Sequence, residues 1–152
     1  MSSPATPHVP VPNNVSLLPV LRALVECQRA VERVAGRHIE TMGLTHSQFD
    51  VLVTLGDTPG LTHKAIGEQT LITKGTLTPV LDRMEAKGLV RRVKGEQDRR
   101  QSLFSLTPQG QALYARTFMP HVEVLRARMA VLAPAEQDHL VALLQKLKRG
   151  FA

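Results

Sequence analysis

Asp98-Arg99-Arg100-Gln101-Ser102-Leu103-Phe104-Ser105-Leu106-Thr107-Pro108-Gln109-Gly110 joins a basic turn, a short strand and a helix start in one run. Two arginines stand in a turn, a short run with strand character follows, and Thr107-Pro108 opens a helix. Threonine suits the N-cap, and proline suits the first helical position, where its missing N–H has no intrahelical partner to lose. Just upstream, Val90-Arg91-Arg92-Val93-Lys94 reads as a companion strand ending at Gly95. The pattern predicts strands over Val90–Lys94 and Ser102–Leu106 with Gly95–Arg99 between them. Residues 91–100 hold five basic and two acidic side chains, a local net of +3. A run of basic residues this short is ordinarily solvated surface, but on a hairpin tip it becomes a projecting cationic arm.

Working toward the N-terminus, Leu77, Val80, Leu81 and Met84 fall at i, i+3, i+4 and i+7 and predict one buried stripe on a helix from about Thr73 to Lys87. Gly75, Thr76, Pro79 and Arg83 lie off that stripe. Pro79 conflicts with a helix interior because it removes a backbone bond and collides with the carbonyl of Gly75. Either the helix kinks there, or it starts late with Thr78 as N-cap and Pro79 at N1. Gly88-Leu89 reads as a C′ glycine followed by an apolar residue. A shorter helix before it, capped by Thr62, contains Lys64, Ala65, Ile66 and Gln69, and Thr70-Leu71-Ile72 links the two. Two helices with so short a linker have helix-turn-helix proportions.

The flanks are helical. Thr45-His46-Ser47-Gln48 is a capping box for a helix with Phe49, Leu52 and Val53 inward, ended by the turn Asp57-Thr58-Pro59-Gly60. Apolar positions from Leu17 to Met42 recur at helical spacing, and Gly43-Leu44 ends that segment. About 27 residues make a helix of roughly 40 Å, long enough to need a partner along part of its length. A fifth helix carries Leu113, Met119, Val122, Leu125, Met129 and Leu132, with Pro120 expected to kink or break it, and Pro134 starts a sixth with Leu140, Leu143, Leu144 and Leu147. The expected fold is mainly α with a small β wing, in the order α-α-α-α-β-β-α-α. The expected divisions are a flexible proline-rich tail over 1–14, a dimerisation helix over 15–44, a winged helix-turn-helix over 45–106 and C-terminal dimerisation helices over 107–152.

Composition narrows the function. The chain has 152 residues, a formal net charge of +6 and a sequence pI near 10.1, a balance suited to a polyanionic partner. Aromatic residues are 3%, with no Trp and one Tyr, too few for the stacking platforms of single-strand binders. The single cysteine, Cys27, excludes an intrachain disulfide and a paired-cysteine metal site. No apolar run reaches the length of a membrane span and the N-terminus has no secretory pattern, so a cytoplasmic protein without membrane attachment is expected. No paired carboxylates at a cleft, Gly-rich phosphate loop or nucleophile with a base supports an enzyme, and no cofactor is expected.

In a helix-turn-helix the second helix enters the major groove, and its free N–H groups and positive dipole end suit phosphate. Thr73, Lys74, Gly75 and Thr76 would occupy that end, with Pro79 near thymine methyls and Arg83 one turn on. Lys64, Arg92 and Lys94 add cationic side chains nearby. Arg99 and Arg100 sit on the wing, Arg100 being the candidate for a narrow minor groove, with Asp98 placed to hold its guanidinium.

Residues 75–90, from Gly75-Thr76-Leu77-Thr78-Pro79 to Gly88-Leu89-Val90, together with the wing pattern Asp-x-Arg…Leu-x-Leu-Thr-x-x-Gly, resemble the MarR family of winged-helix transcriptional regulators over about residues 16–150. The resemblance implies the early helix start near Thr73, a homodimer interlocked through helices one, five and six, and one winged helix per half of a pseudo-palindrome in double-stranded DNA. It implies a repressor released by a small phenolic or aromatic ligand bound between the dimer helices and the winged helix, where His38 and Phe49 would lie. The Gly-Thr-Leu-Thr-Pro run looks most like the branch that senses organic hydroperoxides through a cysteine. That cysteine's comparable position falls near Leu21, so Cys27 is expected to be buried and inert. A thiol sensor at Cys27 and a winged-helix protein-interaction module that does not bind DNA are the alternatives. The six histidines show no metal-ligand spacing, and no metal site is expected.

Overall fold

A computed structural model describes residues 17–70, 72–94 and 102–152. The tail over 1–14 and the wing tip with Asp98, Arg99 and Arg100 lie outside the described residues, as does the Lys74 side chain. The elements are α1 (Leu17–Thr41), α2 (His46–Leu55), β1 (Leu61–Thr62), α3 (His63–Gln69), α4 (Lys74–Ala86), β2 (Val90–Lys94), β3 (Ser102–Leu106), α5 (Pro108–Met129) and α6 (Pro134–Arg149). This is the expected mainly α fold with a β wing, with one strand more than the sequence suggested. β1 has only two residues, too few to show a period, and pairs antiparallel with β3 through Leu61↔Phe104 and Thr62↔Leu103. The sheet order is β1-β3-β2, and β2 pairs with β3 from Val90↔Leu106 to Lys94↔Ser102.

The chain divides into two compact units at Arg33. In the first, residues 17–33 are helical and expose Leu17, Leu18, Val20, Leu21, Val25 and Val31. Cys27 is exposed here as well, which corrects the expectation of a buried thiol. Its neighbours Glu26, Gln28 and Arg29 are exposed too, because this part of α1 has no inward face within its own unit.

The second unit holds the core. Val51, Leu52, Leu55, Ile66, Leu77, Leu81 and Met84 are wholly buried, with Phe49, Val80, Val90, Phe104, Leu106 and Leu113 around them. On α2 the inward positions are Phe49, Val51, Leu52 and Leu55, while Val53 is only partly buried. The helix caps follow the sequence. The Gln48 amide donates to Thr45 Oγ1 at 3.2 Å while the Thr45 amide donates to Gln48 Oε1 at 3.1 Å, and the Ala65 amide donates to Thr62 Oγ1 at 3.1 Å. At α6 the Ala133 N-cap has no side-chain oxygen, and only the return bond forms, from the Ala133 amide to Glu136 Oε2 at 2.7 Å. All the residues of α6 are exposed or partly so, including Leu140, Val141, Leu143, Leu144 and Leu147.

Two prolines test the helices. α4 starts at Lys74 with Pro79 inside it, so the early start holds. α5 runs unbroken from Pro108 to Met129 through Pro120, so the proline does not break the helix. Each proline deprives one carbonyl of its donor, at Gly75 and at Arg116 respectively, and both residues are exposed to solvent that can take the donor's place.

The wing is fixed to α4 at one junction. Gly88 takes φ +70° and lets the chain reverse, with the Gly88 amide on Glu85 O and the Leu89 amide on Met84 O, both at 2.9 Å. Leu89 turns into the core and β2 begins at once. From the far side of the wing, the Thr107 amide donates to Leu89 O at 3.0 Å, Thr107 Oγ1 donates to Gly88 O at 2.5 Å, and the same hydroxyl accepts from the Gly110 amide at 3.0 Å. Gly110 has to be glycine because a Cβ there would run into the Leu89 carbonyl oxygen and crowd Leu106. Gly110→Ala is therefore expected to cost about 2–3 kcal/mol, a clash of backbone rather than of a movable side chain. Urea unfolding checks it: a lower midpoint at unchanged slope is the expected result.

Candidate nucleic-acid interface

The helix pair is assembled from local rules. α3 begins at the Thr62 cap and stops at Thr70, whose amide and hydroxyl both donate to Ile66 O at 2.9 Å. The start of α3 is tied to α4 by His63 Nε2 and Thr78 Oγ1, 2.9 Å apart. Leu77, Val80, Leu81 and Met84 face the core as expected, which leaves Gly75, Thr76, Thr78, Pro79, Asp82 and Arg83 exposed on the other side.

The N-terminus of α4 is open. Thr73 is the N-cap by backbone geometry, but its side chain makes no capping bond. Its hydroxyl meets the Thr76 hydroxyl instead, at 2.9 Å. The first-turn amides of Lys74 and Gly75 keep their donor capacity, and the helix dipole adds partial positive charge at the same end. Gly75 is exposed, and a Cβ built on it meets nothing within 4 Å. Packing does not demand a glycine there, although glycine weakens a helix by about 0.5–1 kcal/mol relative to alanine. A close approach by something outside the chain would explain it.

Arg92 sits differently from a free contact residue. Its Nη2 lies 3.1 Å from Asp82 Oδ1, its Nε 3.9 Å from Glu85 Oε2, and its guanidinium carbon 4.9 Å from the Phe104 ring centre. It braces β2 against α4 and offsets two carboxylates that would otherwise repel phosphate. Arg91 Nε donates to Ser105 Oγ at 3.0 Å. Lys94 is exposed at the end of β2, and Lys64 is exposed with Glu68 3.9 Å away. Thr62, His63, Lys64, Thr78, Arg92, Ser102 and Phe104 line an open groove of about 500 Å³ between α3, α4 and the wing.

The two residues singled out for a ligand are brought together by a third that the sequence did not mark. His121 of α5 is 6% exposed. Its ring meets Phe49 edge-on at 4.6 Å between centres, and its Nδ1 lies 3.1 Å from Nδ1 of His38. Burial first, and then His38 and His46, hold the His121 pKa below the ordinary histidine value. His46 packs on α1, where a Cβ on Gly36 would lie 3.0 Å from its Nε2. Among the described residues no group of three or more His, Cys, Asp or Glu is arranged to hold a metal ion.

A family model described as MarR family matches residues 44–102. The regulator PecS of Dickeya dadantii is 32% identical over 133 residues, 86% of this chain and 80% of that protein. The organic hydroperoxide resistance transcriptional regulator of Bacillus subtilis is 41% identical over 75 residues, which span about half of each protein, 49% of this chain and 51% of the relative. Among solved structures, that of BpsR of Bordetella bronchiseptica is 30% identical with a TM-score of 0.73, covering 92% of this chain and 98% of that one.

Two outcomes follow from this geometry. Gly75→Ala should leave the fold as stable or up to about 1 kcal/mol more stable, yet weaken DNA binding; chemical denaturation beside fluorescence anisotropy separates the two effects. Arg92→Ala should change stability by no more than about 1 kcal/mol, because its ion pairs are exposed and screened, but should reduce DNA affinity. Adding Asp82→Ala to it should restore part of the loss by removing the unmasked carboxylate.

Proposed function

The chain belongs to the MarR family, a family of non-enzymatic, DNA-binding transcriptional regulators, and from that premise we propose that it is a cytoplasmic, dimeric, sequence-specific repressor released from a pseudo-palindromic operator by a small phenolic or aromatic acid. The observation that carries the DNA reading is the open, uncapped N-terminal half of α4 standing beside the wing. In this proposal Thr73, Lys74, Gly75, Thr76 and Pro79 meet base edges, and Arg83 takes a guanine edge or phosphate. Lys64 and Lys94 engage the backbone, and Arg100, aided by Asp98 and Arg99, enters the minor groove at the flank. Arg92 serves as the brace behind them. Residues 45–106 then form the reading unit, and residues 15–44 and 107–152 the dimerising helices. The exposed leucines and valines of α1 and α6 support a second copy as their cover, since apolar faces of that extent are ordinarily buried in an interface. Among the described residues no helix is long and apolar enough to cross a membrane.

The ligand class rests on likeness and chemistry together. The structure of BpsR concerns regulation of its DNA binding by 6-hydroxynicotinic acid, a hydroxylated aromatic acid. His38 and Phe49 offer a hydrogen-bonding ring and an aromatic ring on adjoining elements, the pair of features such a ligand uses. A thiol switch at Cys27 is the second reading, favoured by the exposure of that side chain and by similarity to a hydroperoxide resistance regulator. Cys27→Ser separates the two: a phenolic ligand still releases DNA from the variant, whereas peroxide does not.

Anisotropy titration of the chain on DNA from its own upstream region, against a shuffled duplex, tests the central step. Preference for the upstream sequence and a steep fall of affinity with salt are expected. Equal affinity for both duplexes removes sequence specificity, and weak binding to both at moderate salt favours the protein-interaction module. Arg100→Ala should cost about 1–3 kcal/mol at the operator with little change in stability.

A further inference from the structure

We propose that His38 and His121 form a pH-operated joint between α1 and α5, closed while the two rings hold at most one extra proton between them and opened when both become charged. Two imidazole Nδ1 atoms 3.1 Å apart can be neighbours only if one carries hydrogen and the other a lone pair. Two neutral rings satisfy this with one N–H, and a single added proton strengthens it as a charge-assisted bond. A second proton removes the acceptor and leaves two cations facing each other, with ring centres 5.3 Å apart and His121 shielded from water.

The surroundings sharpen the effect. On α2, Phe49 packs against His121 and offers no charge to offset it. His46, the first residue of the same helix, is a further potential cation that pushes the His121 pKa down. On α1, Arg37 and Glu40 flank His38 and are exposed. On α2, Asp50 is itself engaged, and Asp57 accepts from Tyr114 Oη, two turns before His121 on α5. On α5, Glu123 pairs with Arg126. The described contacts therefore give His121 an imidazole partner and no carboxylate partner.

His121 is held below its ordinary 6.5, so folding favours the neutral ring. Its contribution to stability is complete above about pH 6.5 and is lost as pH falls through the lower folded value. Charging His121 also disturbs its edge-on contact with Phe49 of α2, and α2 packs directly on both α4 and α5. Mild acid should thus loosen the platform of the reading helix and weaken operator binding. Only this last step rests on the DNA-binding function proposed above.

The test uses the full chain and His121→Gln, whose amide can donate or accept but takes up no proton in this range. Long-range nitrogen NMR should show the His38 and His121 ring nitrogens of the wild type responding to pH together, in two linked transitions, and the linkage lost at His38 in the variant. At fixed ionic strength, wild-type operator affinity should fall several-fold from neutral pH to mild acid, while the variant's affinity stays nearly constant over the same range. Independent single-step titration of both histidines in the wild type would overturn the joint, and so would an equal pH ratio for the two proteins. If the chain binds no DNA at any pH, the NMR titration and the pH dependence of thermal unfolding still decide the joint. They also decide it on wild type alone if His121→Gln fails to fold, with His38→Gln as the replacement variant.

Discussion

The wing and both helices beside it hang on the junction of Gly88-Leu89 with Thr107–Gly110. One side of it ends α4 and the other starts α5, and the whole wing is strung between them. Gly88 reverses the chain only because it can adopt positive φ, and Thr107 spends its hydroxyl on both the Gly88 carbonyl and its own helix cap. The absence of a side chain at Gly110 lets the two backbones close up. With that contact made, β2 and β3 have a single register, from Val90↔Leu106 to Lys94↔Ser102, and the wing leaves α4 in one direction.

What the junction fixes in position, the two faces of α4 turn into a surface. The inward stripe is apolar, and four fully or nearly fully buried side chains set the rotation of the helix about its axis. Rotation being fixed, the exposed side presents Gly75, Thr76, Pro79 and Arg83 together, behind an N-terminus left without a side-chain cap. The same exposed side carries Asp82 and Glu85, unfavourable next to a polyanion. Arg92 crosses from β2 to offset both, so the wing contributes to the electrostatics of α4 as well as lying beside it.

Much of this was legible in the sequence because it is encoded locally. The bounds of β2 and β3, the caps at Thr45, Thr62 and Thr107, the C′ glycines and the buried stripe of α4 all depend on residues within one or two turns of each other. What was not legible depends on partners distant in sequence or on elements too short to show a period. β1 exists because β3 offers it an edge. Arg92 reads as a free cation until its acidic partners, ten and seven residues earlier, are brought across from another element. His121 follows a proline in an amphipathic helix and carries no local mark; its meeting with His38 spans 83 positions. Pro120 shows the converse, a local breaking signal that a long helix runs through, with the residue that loses its donor, Arg116, exposed.

If α4 and the wing form one reading surface in each half of a dimer, hydroxyl-radical footprinting of the bound DNA will show two protected patches on one face of the duplex, their centres one or two helical turns apart, about 10–21 base pairs, each flanked by a protected minor groove. A single unflanked patch, or uniform protection along the fragment, would contradict it.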